Sequence, residues 1–161
     1  MVKGIFLILL SVVSILLSGF NVESNATIKP PKAVCIEEYE TIWKDFNQKI
    51  LTEIVKGYNL NLENFKELTM NDLLSKMKTG KKNEDIQSLL RLFEGTSLGD
   101  KRLFLNGNRG LLLFKQTDGV NVLQTIEQSS INGKWIVTKT KEIQGIKMKW
   151  EKFDWSKCDE K

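Results

Sequence analysis

Histidine does not occur among the 161 residues. Its absence removes Ser-His-Asp and Cys-His nucleophilic pairs, His-ligated zinc, and any imidazole switch near neutral pH. Proline (2) and glycine (11) are scarce, while apolar residues make up 41% and charged residues 27% of the chain. Collagen-like, coiled-coil and wholly disordered chains are excluded by that balance, and one small globular domain fits it. No metal-ligand cluster, cofactor motif or nucleic-acid-binding motif is present.

The one long apolar run lies at the start. Lys3 precedes Ile5–Leu17, thirteen residues whose only polar members are Ser11 and Ser14, and polarity returns by Asn21 and Glu23. A membrane span needs about 20 apolar residues, so the pattern predicts a secretory signal peptide over 1–26, with an uncleaved membrane anchor as the alternative. Val22-Glu23-Ser24 and Ser24-Asn25-Ala26 both offer cleavage sites; cutting after Ala26 leaves Thr27 to Lys161 as one domain. The predicted location is extracellular, or periplasmic in a bacterium. No cysteine follows the run closely enough for bacterial lipidation.

Only two cysteines exist, Cys35 and Cys158. In an oxidising compartment they are expected to pair, closing a 124-residue loop and tying the C-terminal tail to the first helix. A catalytic thiol is disfavoured, since no histidine can generate the thiolate and no CxxC occurs.

Charge divides the chain near Gly99. Residues 27–98 balance 11 basic against 11 acidic residues, whereas 99–161 carry 12 against 8, so the formal +4 belongs to the second part. Apolar periodicity changes at the same point, from a helical to a two-residue repeat. The fold class expected is α+β: a helical layer over 33–95 packed on a sheet layer over 99–155. Ile36, Tyr39, Trp43, Phe46, Ile50, Ile54 and Tyr58 recur at steps of three and four, which predicts an amphipathic helix ended by Gly57. Glu37, Glu38 and Glu40 are expected in its first turns, where the helix dipole favours carboxylates. Leu62 to Leu68 predict a further turn or two of helix. Thr69 and Asp72 are spaced as a capping box for a helix carrying Leu73, Leu74 and Met77. After a solvated Thr79-Gly80-Lys81-Lys82 loop, which lacks the remainder of a phosphate-binding motif, Ile86, Leu89, Leu90 and Phe93 predict a third helix.

Beyond Gly99, the pairs Asn106-Gly107, Asp118-Gly119 and Asn132-Gly133 each suit a two-residue hairpin. Together they predict a four-stranded antiparallel meander over about 101–105, 110–117, 120–128 and 134–143, with a fifth strand after Gly145. Leu111-Leu112-Leu113-Phe114 is apolar on both faces, so its strand is expected in the sheet centre, covered by helix on one side. N-terminal helices followed by a curved meander, with a late Asn-Gly-Lys-Trp-Ile-Val segment at 132–137, resemble the NTF2-like and cystatin-like cone folds of small exported proteins. The resemblance implies a cone-shaped sheet that shelters a pocket. Departures are plain, for the chain lacks the His/Asp pocket pairs of enzymatic members and the QxVxG loop of inhibitory cystatins, and no strand is expected among the helices.

In the tail, Lys147, Lys149 and Lys152 alternate with Trp150, Phe153 and Trp155, with a phase slip near Glu151. Such a segment fits a polyanion or anionic membrane surface, aromatic platforms for a sugar, or an edge strand whose aromatics complete the core and whose lysines block aggregation. The function expected is a secreted, non-enzymatic binding module that takes a protein partner or a small apolar ligand between helices and sheet. The rival is an exported hydrolase or isomerase using Tyr39, Asp45, Tyr58 and Glu127. A carboxylate pair about 5–10 Å apart in a pocket would favour the enzyme; a dry pocket without ionisable lining would favour the binder.

Overall fold

A computed structural model describes residues 33–79 and 84–158. The predicted signal peptide and the Gly80-Lys81-Lys82 loop lie outside the described residues. Helix α1 spans Ala33–Tyr58, and its inner stripe buries Asn47, Ile50, Leu51 and Ile54. No acidic residue falls in its first turn, so Glu37, Glu38 and Glu40 sit a turn too late for strong dipole stabilisation, which fades beyond the first turn. The helix also outlasts Gly57. Asn59 takes the left-handed conformation at φ 52°, while its N–H and that of Leu60 bond to Lys56 O and Val55 O, closing a Schellman cap. Gly57 lies under Ile143, whose Cδ1 would be 2.8 Å from an added Cβ and would have to move aside.

The segment expected to extend a helix from Leu62 forms a turn and then strand β1, Lys66–Leu68. Pairing to the next strand satisfies its backbone and buries Leu68, and this outweighs local helical spacing. Helix α2, Met70–Thr79, starts at the predicted box: Thr69 N–H donates to Asp72 Oδ2 (2.8 Å) and Asp72 N–H to Thr69 Oγ1 (3.1 Å). Those bonds from the Thr69 backbone and hydroxyl hold the Asp72 carboxyl below its ordinary range. Helix α3 follows at Glu84–Leu92.

Strands β2 (Leu98–Asn106), β3 (Arg109–Lys115), β4 (Val120–Gln128) and β5 (Trp135–Gln144) form the predicted meander. The three hairpins turn through positive-φ glycines at 107, 119 and 133. Sheet order is β1-β2-β3-β4-β5, antiparallel throughout. The fifth strand is therefore β1 on the opposite edge, not a segment after Gly145. Residues 145–154 hold no strand, because their aromatic side chains pack on α1 rather than extending the sheet.

Helices cover both faces of the sheet instead of forming one layer. Phe104, Leu113 and Leu123 pack with α1, whereas Leu103, Leu112, Phe114, Val122 and Ile126 pack with Leu73 of α2 and Ile86 and Leu89 of α3. Strict alternation along β3 sends Leu112 and Phe114 to one core and Leu111 and Leu113 to the other. Leu112 and Leu113 are fully buried. Truncating either to alanine is expected to cost about 2–5 kcal/mol, while Lys139→Ala on the exposed edge strand stays within about 0.5 kcal/mol of the parent. Urea denaturation of the three variants checks this, and equal losses would refute the register. Lys139 and Lys141 on β5 also guard the outer edge against strand addition.

Candidate functional site

Because β1 is only three residues long, it covers β2 from Leu103 to Leu105 and leaves the start of β2 without a strand neighbour on that side. A cleft of about 590 Å³ opens there, between α1, the β1–α2 junction and the start of β2. Trp43, Leu68, Met70 and Phe93 supply its apolar lining.

Polar groups around the cleft are mostly engaged. The buried Asn47 carboxamide donates to Trp43 O (3.0 Å) and Asp100 Oδ2 (2.9 Å) and accepts from Asp100 N–H (2.6 Å), so all its hydrogen-bonding capacity on nitrogen is used. This clamp fixes α1 to the start of β2, where the pairing with β3 shifts register between Leu98 and Arg102. It also requires Gly99, which has φ 75° and whose added Cβ would collide with Asn47 Oδ1. Arg102 grips Glu67 bidentately, with Nη2 2.7 Å from Oε2. Lys101 Nζ lies 4.9 Å from the Phe114 ring centroid and donates to Leu92 O (3.2 Å) and Glu94 O, capping the C-terminal end of α3. Burial lowers its pKa, and the Glu94 charge only partly offsets this. Lys44 lines the same cleft and is exposed, with no side-chain hydrogen bond or ion pair among the described residues. The cleft thus matches neither simple criterion for enzyme or binder: it holds two carboxylates, each already bonded.

A second polar feature lies under the C-terminal strap, residues 145–158. Lys115 is 0% exposed and donates to Glu53 Oε1 (3.0 Å), Gly119 O (3.1 Å) and Ile146 O (2.9 Å). Glu53 Oε1 also accepts from Asn121 Nδ2 (2.9 Å) and Ile146 N–H (2.7 Å). Burial pushes the Glu53 pKa up, but the bonds from Asn121, Ile146 and Lys115, with the lysine charge, outweigh it and hold the carboxyl below its ordinary range. Glu53 Oε2 and Asn121 Oδ1 are buried without partners. The cluster latches the strap to α1 and the β3–β4 hairpin.

From the latch the strap follows α1 toward its N-terminus. Trp150 meets Trp43 edge-on at 4.7 Å and Phe46 at 5.0 Å, Phe153 and Trp155 lie 5.7 Å and 5.3 Å from Tyr39, and Cys158 bonds to Cys35 with α-carbons 6.0 Å apart. The tail aromatics therefore pack mainly inward, while Lys147, Lys149 and Lys152 are exposed. The four residues of the enzyme alternative are scattered. Tyr39 belongs to this aromatic cluster, Asp45 lines a groove between α1 and the strap, and Glu127 pairs with Arg109 at 3.6 Å. The Tyr58 hydroxyl lies 2.7 Å from Asn121 O and 2.8 Å from Lys141 O, and burial with the Glu142 charge raises its pKa. None of the four lines the cleft.

Sequence patterning missed the cleft, the Asn47 clamp and the latch. The available signals were Asn47 on an otherwise apolar helix stripe and Lys115 closing a run of four apolar strand residues. No known protein family, curated protein or solved structure gives a significant match to the chain.

Proposed function

We propose that the chain is an exported, non-enzymatic binding protein whose cleft takes a small ligand with an apolar body. The observation carrying this reading is the apolar wall of Trp43, Leu68, Met70 and Phe93 in a cleft of about 590 Å³, a size typical of small-molecule sites. Lys44, exposed at its rim, suits a polar or anionic end of the ligand. Glu67 and Asp100 are bonded to Arg102 and Asn47, which argues against their serving as a free acid and base. Export is supported by the disulfide and by the Ile5–Leu17 run; no helix among the described residues is long and apolar enough to cross a membrane. The helices-then-meander order, with β1 interleaved, supports an NTF2-like or cystatin-like relationship, although here helices fill both faces and the cleft sits at the sheet edge.

Anilinonaphthalene sulfonate, an apolar dye with one anionic group, tests the cleft. Saturable binding at one site is expected, lost in Asn71→Trp, which places an indole at the cleft wall without touching the core. Absence of saturable binding, or binding unchanged in Asn71→Trp, refutes the reading. Hydrolysis of a nitrophenyl ester that disappears in Asp100→Asn while folding is retained would favour the enzyme.

A further inference from the structure

We infer that the outer side of the C-terminal strap, together with the exposed apolar side chains at its two ends, is a docking surface for an anionic lipid bilayer. The surface is separate from the cleft and does not depend on it. Three observations lead to it.

The first is charge. Lys147, Lys149 and Lys152 are exposed, and their side chains make no ion pair or hydrogen bond among the described residues. Glu151 is the only exposed acid within that row, and farther along the strap Lys157 is matched by Asp154 at 4.0 Å. Lys49 and Lys56 of α1 flank Ile146 and Met148 across the neighbouring groove, against Asp45 alone, since Glu53 there is already paired with Lys115. The strap thus sets four lysines against two acids, Glu151 and Asp154, with its unpaired lysines in the stretch 147–152, while the exposed Glu37, Glu38 and Glu40 of α1 lie toward its far end, beside Tyr39.

The second observation is the inward turn of the tail aromatics. With Trp150 and Phe153 half-buried against α1, the lysines are carried on a ridge fixed by the latch at one end and the disulfide at the other. A fixed ridge holds its charges outward without the ordering cost that a free tail would meet on binding.

The third decides between partners. Ile146 is 67% exposed where the strap begins; Trp155 (41%) and Val34 (73%) are exposed where it ends, Val34 adjoining the disulfide-linked Cys35. A soluble polyanion would use the lysines and leave these side chains in water. A bilayer of anionic headgroups uses both, taking the cations at the headgroups and the apolar side chains at the boundary with the acyl region.

The test is co-sedimentation of the full, disulfide-bonded chain with vesicles. One set contains equal parts phosphatidylglycerol and phosphatidylcholine and the other phosphatidylcholine alone, and the ratio of the two partition coefficients is read. Any contribution of the Ile5–Leu17 run is common to parent and variants. The parent is expected to prefer the anionic vesicles by about a hundredfold, falling toward unity in the Lys147→Gln/Lys149→Gln/Lys152→Gln variant. In the parent the preference should also collapse in salt well above physiological strength, where the screening length drops below about 8 Å. Ile146→Ser should weaken binding to anionic vesicles several-fold. A parent ratio near one overturns the inference, as does a ratio unchanged in the triple variant or in high salt. Lysine-dependent retention on heparin without vesicle preference would also overturn it and assign the surface to a sulfated polymer.

Discussion

Replacing Cys35 and Cys158 together by serine is expected to lower the unfolding free energy by about 4–5 kcal/mol. The bond joins residues 123 apart, so its removal frees nearly the whole described chain to explore open conformations when unfolded. A drop in melting temperature on the order of 15 °C should follow for a domain of this size. In the folded state the loss has a specific place. Cys158 is buried, and the bond holds the turn Trp155–Cys158 beside Tyr39, so the aromatic contacts at the strap's far end should loosen first. Urea denaturation with tryptophan fluorescence reads both effects, because Trp150 and Trp155 report the strap. Thiol titration of the denatured, unreduced parent should find no free thiol, and two would refute the pairing. An unchanged urea midpoint in the double variant would mean that the latch and aromatic cluster hold the strap without covalent help.

How far the sequence could be read depends on how local the determining interaction is. The hairpin glycines at 107, 119 and 133 were legible because positive φ is a property of a residue and its immediate neighbours. The capping box at Thr69 and Asp72 was legible for the same reason. The disulfide was legible by counting. β1 was not, since Lys66–Leu68, at the end of the helically spaced Leu62, Phe65 and Leu68, become a strand only when the edge of β2 lies beside them. α1 ends one residue beyond Gly57 because asparagine also tolerates the left-handed cap, and the side chain that meets Gly57 is that of Ile143, 86 residues away. Burial of the Leu111–Phe114 strand was legible in its double apolarity, but helix was expected on one side only; that helices cover both faces, and which helix goes to which, is set by chain path, which periodicity does not encode. In the tail, Lys147, Lys149 and Lys152 are exposed and Trp150 and Phe153 half-buried, yet Trp155 is exposed as well and the partner of the aromatics is α1, so the alternation does not signify a strand. The cleft is least legible of all, being formed where β1 ends short, from residues separated by up to 59 positions along the chain.

Lys115→Met is expected to cost about 3–5 kcal/mol, comparable to the disulfide, because it leaves the Glu53 carboxylate inside the latch without its cation. Glu53→Leu should be similarly damaging, since it strands a fully buried ammonium and removes the acceptor for Asn121 and Ile146. The double variant distinguishes a buried pair from two independent contributions. With both charges gone, no ion remains in the low-dielectric interior, so the double loss should be well below the sum of the singles, with a coupling of at least about 1–3 kcal/mol. Additive losses would refute the latch as a coupled unit. The same carboxylate gives the parent a pH signature: because Glu53 is held below its ordinary range when folded, its stabilisation is complete above the unfolded glutamate value of about 4.3. It then declines as the pH falls through the lower folded value. Denaturation midpoints measured from pH 7 downward should therefore decline more steeply below about pH 4 in the parent than in the Lys115→Met/Glu53→Leu double variant. Parallel profiles would show that Glu53 does not carry the linkage. Release of Ile146 from Glu53 and Lys115 would free the strap at the end opposite the disulfide, so near that acidic limit the strap should open at its latch while Cys35 still holds Cys158.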